Sequence, residues 1–136
     1  MERDRYHKLL FTAAAIWNCG LAIIFGVISR FVSDAFTMVG LQTPLTFLWF
    51  DTFLAFIFSL GLGFFFVSLD MTMNHGLIRM AMFWKVAVFI VGILHFIAGD
   101  ASNWVVLIVV IDLLFGILFT EDLMAIKDGN PRRVDN

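Results

Sequence analysis

Four long apolar stretches make up most of this chain, and they constrain its fold more than any other feature. They cover residues 9–29, 46–68, 77–98 and 104–120. A helix needs about 20 apolar residues to cross the hydrocarbon core of a bilayer. All four stretches are too long for strands, and open strand edges in lipid would leave backbone groups unpaired. We therefore expect an all-α, integral membrane four-helix bundle.

The composition agrees with a membrane-embedded chain and excludes several other classes. Of the 136 residues, 61% are hydrophobic, against roughly half in soluble domains. The length suits one domain, residues 1–136, and the net charge of −2 gives no reason to expect nucleic acid as a partner. The lone cysteine, Cys19, cannot form an intramolecular disulfide. The lipid bilayer is therefore the first partner that we expect.

Basic residues outside the four stretches predict the orientation of the bundle. Loops on the cytoplasmic side of a membrane carry an excess of Lys and Arg. On one side Arg30 stands alone. Seven basic residues lie on the other side, at the two termini and in the second connection: Arg3, Arg5, Lys8, Arg79, Lys127, Arg132 and Arg133. We expect both termini in the cytoplasm, with the chain in a bacterial inner membrane.

The connections between the spans differ in length and character. Residues 31–45 are partly amphipathic and predict a short helix lying in the outer interface. Residues 70–76 predict a tight polar turn. Residues 99–103 predict a still shorter turn, so the third and fourth spans should form an antiparallel hairpin. Residues 121–136 are polar and predict an irregular C-terminal tail.

Small residues follow one face of two spans, at alternating spacings of three and four. Such stripes let helix backbones approach closely in lipid. In the third span the same face carries two ionisable residues, Lys85 and His95. The face in the first span comprises Thr12, Ala15, Cys19, Ala22, Gly26 and Ser29, and the face in the third comprises Ala81, Lys85, Val88, Gly92, His95 and Gly99.

Three polar residues are predicted to meet inside the membrane. Counting from the cytoplasmic side, Asn18 and Asp112 lie roughly 13 Å deep and Lys85 roughly 9 Å deep. Burying a carboxylate at that depth costs free energy unless the protein supplies a partner. We therefore expect a Lys85–Asp112 ion pair, with Asn18 taking a remaining hydrogen-bonding position. Such a pair either fixes the register of the helices or marks a proton or ion pathway.

A second, outer polar pair is predicted from Asp51 and His95, which should both lie near the outer interface. A histidine at that level can also serve simply as a hydrogen-bonded or headgroup-level residue. His95 is the only histidine within a predicted span, so neither metal ligation nor haem ligation by two histidines is expected. We expect no cofactor.

Three tryptophans fall near the predicted interfaces and read as aromatic anchors: Trp49, Trp84 and Trp104. Trp17 lies deeper, beside Asn18.

A few short features also suggest a family. They are Trp17-Asn18, the stretch 39–44 before the second span, the run 60–70, Lys85 and Asp112. In their order the chain resembles short four-span bacterial membrane proteins of the DoxX-like class, most of which have no assigned role. The resemblance implies a four-helix bundle and supplies no catalytic residue. The connection at 31–45 lacks the double proline that the class would lead us to expect.

The leading functional hypothesis is a non-catalytic subunit or assembly partner of a larger membrane complex. The predicted spans leave almost no extramembrane domain, and 17 phenylalanines offer broad packing faces. A second hypothesis is a small oligomeric ion- or proton-coupled transporter in which Asp112 titrates beside Lys85. A third is a lipid-binding protein or enzyme that uses Asp51 and His95, with a lipid-accessible cavity between the second and third spans. A subunit should instead show a flat apolar face that another chain covers.

Overall fold

A computed structural model describes residues 2–32, 34–70 and 74–128, and every secondary-structure element within these ranges is helical. Four of the helices are long and apolar enough to cross a membrane, which indicates an integral, multi-pass membrane protein. This agrees with the predicted all-helical bundle. In chain order the helices are α1 (Glu2–Phe31), α2 (Ala35–Met38), α3 (Phe47–Leu69), α4 (His75–Ala98) and α5 (Asn103–Asp128).

The first and last helices extend beyond the predicted spans. α1 begins at Glu2 rather than at residue 9, and α5 continues to Asp128 rather than ending at residue 120. The prediction considered apolar residues alone, but each extension carries a buried polar side chain, His7 on α1 and Asp122 on α5. Both extensions therefore pack partly inside the bundle although they lie outside the apolar stretches. Residues 129–136 of the predicted tail lie outside the described part of the chain.

Local signals in the sequence set the ends of α3 and α4. The Thr46 hydroxyl caps α3 by accepting a hydrogen bond from the Leu48 N–H at 3.3 Å. α4 ends at Gly99, whose φ of 84° is a left-handed conformation that glycine adopts without steric cost. The Asp100 N–H then donates to the His95 carbonyl at 2.9 Å. α4 turns back directly into α5, as the short connection predicts.

The long helices pack mainly as two pairs, α1 with α3 and α4 with α5. Glycines permit the close approach within each pair. A Cβ atom at Gly61 would lie 2.5 Å from Cys19 Sγ, and one at Gly92 would lie 2.8 Å from Val109 Cγ1. Both distances are shorter than van der Waals contact, so a larger residue would force the helices apart. Cys19 and Gly92 belong to the two predicted small-residue faces, so part of each face lies at a helix contact, whereas His95 of the second face is exposed.

The two pairs join through an aromatic core near the end of the bundle where α1 begins and α5 ends, here called the terminal end. Phe11, Phe64 and Phe119 are completely buried. The rings of Phe11 and Phe119 stack with centroids 4.5 Å apart, and Phe64 lies 5.2 Å from Phe119. Ile78 and Ala81 of α4 pack against the same cluster. All four long helices therefore meet in this half.

The opposite end, here called the α2 end, is covered by a single helical turn. Phe36 of α2 is buried and meets Phe50 of α3 edge to face, with ring centroids 4.9 Å apart. The Ser102 hydroxyl, between α4 and α5, donates a hydrogen bond to the Val39 carbonyl oxygen. The segment 31–45 contains a short helix, α2, whose Phe36 packs into the bundle, and its predicted position in the outer interface stays a prediction.

Candidate functional site

Asn18, Lys85 and Asp112 lie together in the middle of the bundle, as their predicted depths require. Lys85 Nζ donates to Asp112 Oδ1 at 2.5 Å and to Asn18 Oδ1 at 3.1 Å. The exposed fractions are 1% for Lys85, 3% for Asn18 and 8% for Asp112. The cluster joins α1, α4 and α5, so it links the two helix pairs as well as the α4–α5 hairpin.

The neighbouring residues let α5 approach Lys85 and shield its charge. Gly116 lies one turn after Asp112, and a Cβ atom there would be 3.1 Å from the Lys85 Cβ. The ammonium group lies 5.6 Å from the ring centroid of Phe64 and 5.9 Å from that of Phe115. Cations are attracted to the faces of aromatic rings at such distances. The rings of Phe64 and Phe115 therefore help to stabilise the ammonium group.

Two polar atoms of the cluster remain outside these hydrogen bonds. An ammonium group can only donate, so the Asn18 atom facing it must be the carbonyl oxygen. Asn18 Nδ2 and Asp112 Oδ2 take part in no hydrogen bond within the described residues, and neither atom is sealed off from the surface. With lysine protonated and aspartate ionised, the cluster has no net charge, and these two atoms offer a donor group, the Asn18 NH2, and an acceptor, Asp112 Oδ2.

These two atoms belong to residues that border a cavity of about 460 Å³. Asn18 and Asp112 form its inner end, while Ala35 and Phe36 of α2 lie at its other end. From Asn18 to Ser29, which also borders it, α1 rises roughly 16 Å. The wall is otherwise almost entirely apolar and includes Leu21, Phe25, Leu54, Ile57, Trp84 and Ile108. A cavity of this volume and character falls in the range of small-molecule sites.

Of the predicted tryptophan anchors, Trp84 has a different environment from the other two. Trp49 and Trp104 are 74% and 61% exposed, and both lie near the α2 end. Trp84 is half-buried, packs edge to face on Phe56 with centroids 4.7 Å apart, and borders the cavity. The ring of Trp84 faces a neighbouring helix because α3 supplies an aromatic surface beside it. Trp49 and Trp104 stay as predicted anchors, whereas Trp84 is part of the candidate site.

The predicted contact between Asp51 and His95 is absent from the described structure. Asp51 pairs instead with Arg30, and His95 Nδ1 lies 3.6 Å from Asp100 Oδ2. The physical reason is the pairing of helices. α1 packs along α3, which brings Arg30 to Asp51, and His95 lies on an exposed face of α4. Neither Asp51 nor His95 borders the cavity.

A second buried polar pair, His7 with Asp122, was missed by the sequence analysis. His7 Nδ1 hydrogen-bonds Asp122 Oδ2, and His7 Nε2 lies 3.3 Å from the Val67 carbonyl oxygen. Both residues fell outside the predicted spans. The helical spacing held a signal, because His7, Phe11 and Asn18 fall on one face of α1 and continue the buried stripe towards the N-terminus. The aromatic core separates this pair from the Lys85 cluster.

Among the described residues, no group of three or more His, Cys, Asp or Glu side chains is placed to hold a metal ion. No protein-family model, curated protein or solved structure matches this chain. The DoxX-like resemblance therefore stays a prediction.

Proposed function

We propose that this membrane protein binds a mainly apolar small molecule inside its helix bundle. The observation that carries the proposal is the 460 Å³ cavity, apolar along its wall and bordered at its inner end by Asn18 and Asp112. Ligand sites are typically concave and apolar, with a few polar groups that orient the ligand. Because the wall of the bundle is surrounded by lipid in this proposal, the ligand enters from the bilayer.

The packing beyond the inner end of the cavity favours binding over passage across the membrane. Phe11, Phe64 and Phe119 are fully buried on the side of the cluster towards the terminal end. Their rings fill the space between the helix pairs, so a molecule held at Asp112 meets a packed aromatic layer. The transporter hypothesis, which uses the same Asp112 and Lys85, stays a prediction and would require this layer to open.

The proposed binding cavity agrees with the lipid-binding hypothesis in being apolar and open to lipid, but its polar residues are different. That hypothesis expected a lipid-accessible cavity with Asp51 and His95 as its polar residues. The cavity wall is instead built from all four long helices, and its polar end consists of Asn18 and Asp112. The subunit hypothesis expected a flat face covered by another chain, and it also stays a prediction.

The orientation belongs to the same proposal. α1 begins and α5 ends at the same end of the bundle, in keeping with four spans. With the basic residues at that end in the cytoplasm of a bacterial inner membrane, the cavity occupies the outer half of the bilayer. The ligand is then drawn from the outer leaflet.

Quenching of Trp84 fluorescence tests whether the cavity binds an apolar molecule. Bromine quenches tryptophan at short range, so 1-bromoundecane bound in the cavity should quench the Trp84 ring that borders it. The protein is placed in lipid nanodiscs with its other three tryptophans replaced by phenylalanine. Quenching should then contain a saturable component above the linear background from bromoundecane dissolved in lipid.

Two valine substitutions on α4 form a matched pair for this experiment. Val88 borders the cavity, whereas Val86 is 45% exposed on the outside of the helix. Val88→Phe should fill the cavity and remove the saturable component, and Val86→Phe should leave it intact. The same saturable curve in both variants, or a purely linear response in the parent protein, would refute the proposed function.

A further inference from the structure

We infer that the ligand of this cavity is a single-chain amphipathic molecule with an uncharged hydroxyl head, which binds between Asn18 and Asp112; this rests on the proposed function of the cavity. The cavity wall fixes the apolar part of the ligand, and the cluster at the inner end fixes the chemistry of the head. Three features of the described residues lead to this ligand class: charge, hydrogen-bonding valence and length.

The charge of the cluster disfavours an ionised head. Lys85 and Asp112 already neutralise each other at 2.5 Å, and Lys85 is 1% exposed. An ammonium head would bring a second cation within reach of a carboxylate that already has one. A carboxylate head would lie against Asp112 itself. Either ion would bring an uncompensated charge into an apolar cavity, which is costly.

The free hydrogen-bonding positions match a hydroxyl group. Asn18 Nδ2 can donate, and Asp112 Oδ2 can accept, while Asn18 Oδ1 and Asp112 Oδ1 are taken by Lys85. A hydroxyl donates one hydrogen bond and accepts others, so it can satisfy both atoms at once. A ketone or an ether could only accept and would leave Asp112 Oδ2 without a donor. An alkane would satisfy neither.

The shape of the cavity sets the orientation and the number of chains. The polar atoms of Asn18 and Asp112 lie at the inner end. Among the described residues of the wall, Ser29 carries the only hydroxyl, and it already donates to the Gly26 carbonyl at 3.1 Å. The head therefore binds at Asn18 and Asp112, and the tail runs towards Phe36 over roughly 16 Å. One alkyl chain or a narrow ring system fits a volume of 460 Å³.

Displacement of 1-bromoundecane from the unmodified cavity ranks three head groups against the bare alkane of the same chain length. The competitors are undecan-1-ol, undecane, undecylamine and undecanoate at pH 7, compared at equal mole fraction in the nanodisc lipid. Two hydrogen bonds predict that undecan-1-ol displaces the probe at about a ten- to thirtyfold lower mole fraction than undecane. The amine and the carboxylate should both be weaker than the alcohol.

Two variants check that the preference comes from the inner end of the cavity. Asn18→Leu removes the Nδ2 donor and should reduce the preference for the alcohol over undecane to about threefold or less. Ser29→Ala is the matched control, because Ser29 borders the same cavity but already uses its hydroxyl within α1. Ser29→Ala should keep the full preference.

The outcomes separate this inference from the proposed function. If bromoundecane binds saturably but undecane and undecan-1-ol displace it equally, the hydroxyl ligand is wrong while the binding cavity stands. If the amine or the carboxylate is strongest, the neutral head is wrong. If Ser29→Ala abolishes the preference and Asn18→Leu keeps it, the assigned end of the cavity is wrong. Absence of saturable bromoundecane binding refutes the proposed function itself.

Discussion

Replacing Lys85 with methionine should destabilise the bundle by an amount that the structure bounds. Lys85 is 1% exposed, and its ammonium group lies 2.5 Å from Asp112 Oδ1. Removing one partner of a buried ion pair costs about 3–5 kcal/mol, because the remaining charge stays buried and unpaired. The Asp112 side chain is 11% exposed and borders the cavity, so water can reach it. We therefore expect the lower end of the range, about 3 kcal/mol.

Reversible unfolding in mixed detergent micelles, followed by circular dichroism, measures this loss. The double variant Lys85→Met/Asp112→Leu removes both charges and should return to within about 1 kcal/mol of the unmodified protein. The Arg30–Asp51 pair supplies a matched control, since its side chains are 45% and 47% exposed. Arg30→Met should cost at most about 1 kcal/mol, because solvent screens the pair.

The stabilities of these three variants together test whether Lys85 and Asp112 compensate each other's buried charge. A loss of less than about 1 kcal/mol for Lys85→Met, equal to that for Arg30→Met, would mean that Asp112 does not depend on Lys85 for its charge. A double variant as unstable as the single one would mean that the cost comes from lost packing. Either result would contradict the account of Lys85 and Asp112 as a mutually compensating buried pair.

Two further predictions concern contacts elsewhere in the bundle and use the same unfolding measurement. Gly92→Ala should lower the free energy of unfolding by about 1–3 kcal/mol, because the new Cβ would lie 2.8 Å from Val109. Gly20→Ala is the control: nothing lies within 4 Å of its new Cβ, so it should be neutral or stabilise by up to about 1 kcal/mol. Equal effects of the two variants would contradict the close α4–α5 contact. His7→Leu should lower the free energy of unfolding by about 3 kcal/mol, because Asp122 would stay buried without its imidazole partner. The double variant His7→Leu/Asp122→Leu should recover most of that stability. A loss below about 1 kcal/mol in His7→Leu would refute a structural role for this pair.

The sequence predicted the fold and the central cluster because both depend on simple regularities. A helix rises by a constant distance per residue, so residue counts placed Asn18, Lys85 and Asp112 at similar depths. An ionisable group in an apolar helix also has few acceptable environments, which made Lys85 the expected partner of Asp112. The short connection after Gly99 fixed α4 and α5 as antiparallel neighbours, and the structure contains that contact.

Contacts that depend on the arrangement of helices were harder to predict. The expected Asp51–His95 pair assumed that consecutive spans pack closely along their length. α3 packs instead against α1, so Asp51 meets Arg30. His7 and Asp122 were missed because the spans were predicted from apolar residues alone and ended at the first polar residues. Extending each helix to the polar residues that continue its buried face would have placed both His7 and Asp122 within the bundle.

The cavity follows from an uneven distribution of the contacts that join the two helix pairs. From the middle of the bundle to the terminal end, the Lys85 cluster, the aromatic core and the His7–Asp122 pair all cross between α1–α3 and α4–α5. Towards the α2 end, the contacts between the pairs include the Phe56–Trp84 ring contact beside the cavity and the Ser102–Val39 hydrogen bond at the end of the helices. These contacts leave a space between the pairs that side chains do not fill. A bundle that served only to hold its own helices together would gain stability by filling that space with larger residues, at roughly 25 cal/mol for each Å² of apolar surface buried. The sequence leaves this space open beside Asn18 Nδ2 and Asp112 Oδ2, which make no hydrogen bond within the described residues, and this is the reason to look for a ligand there.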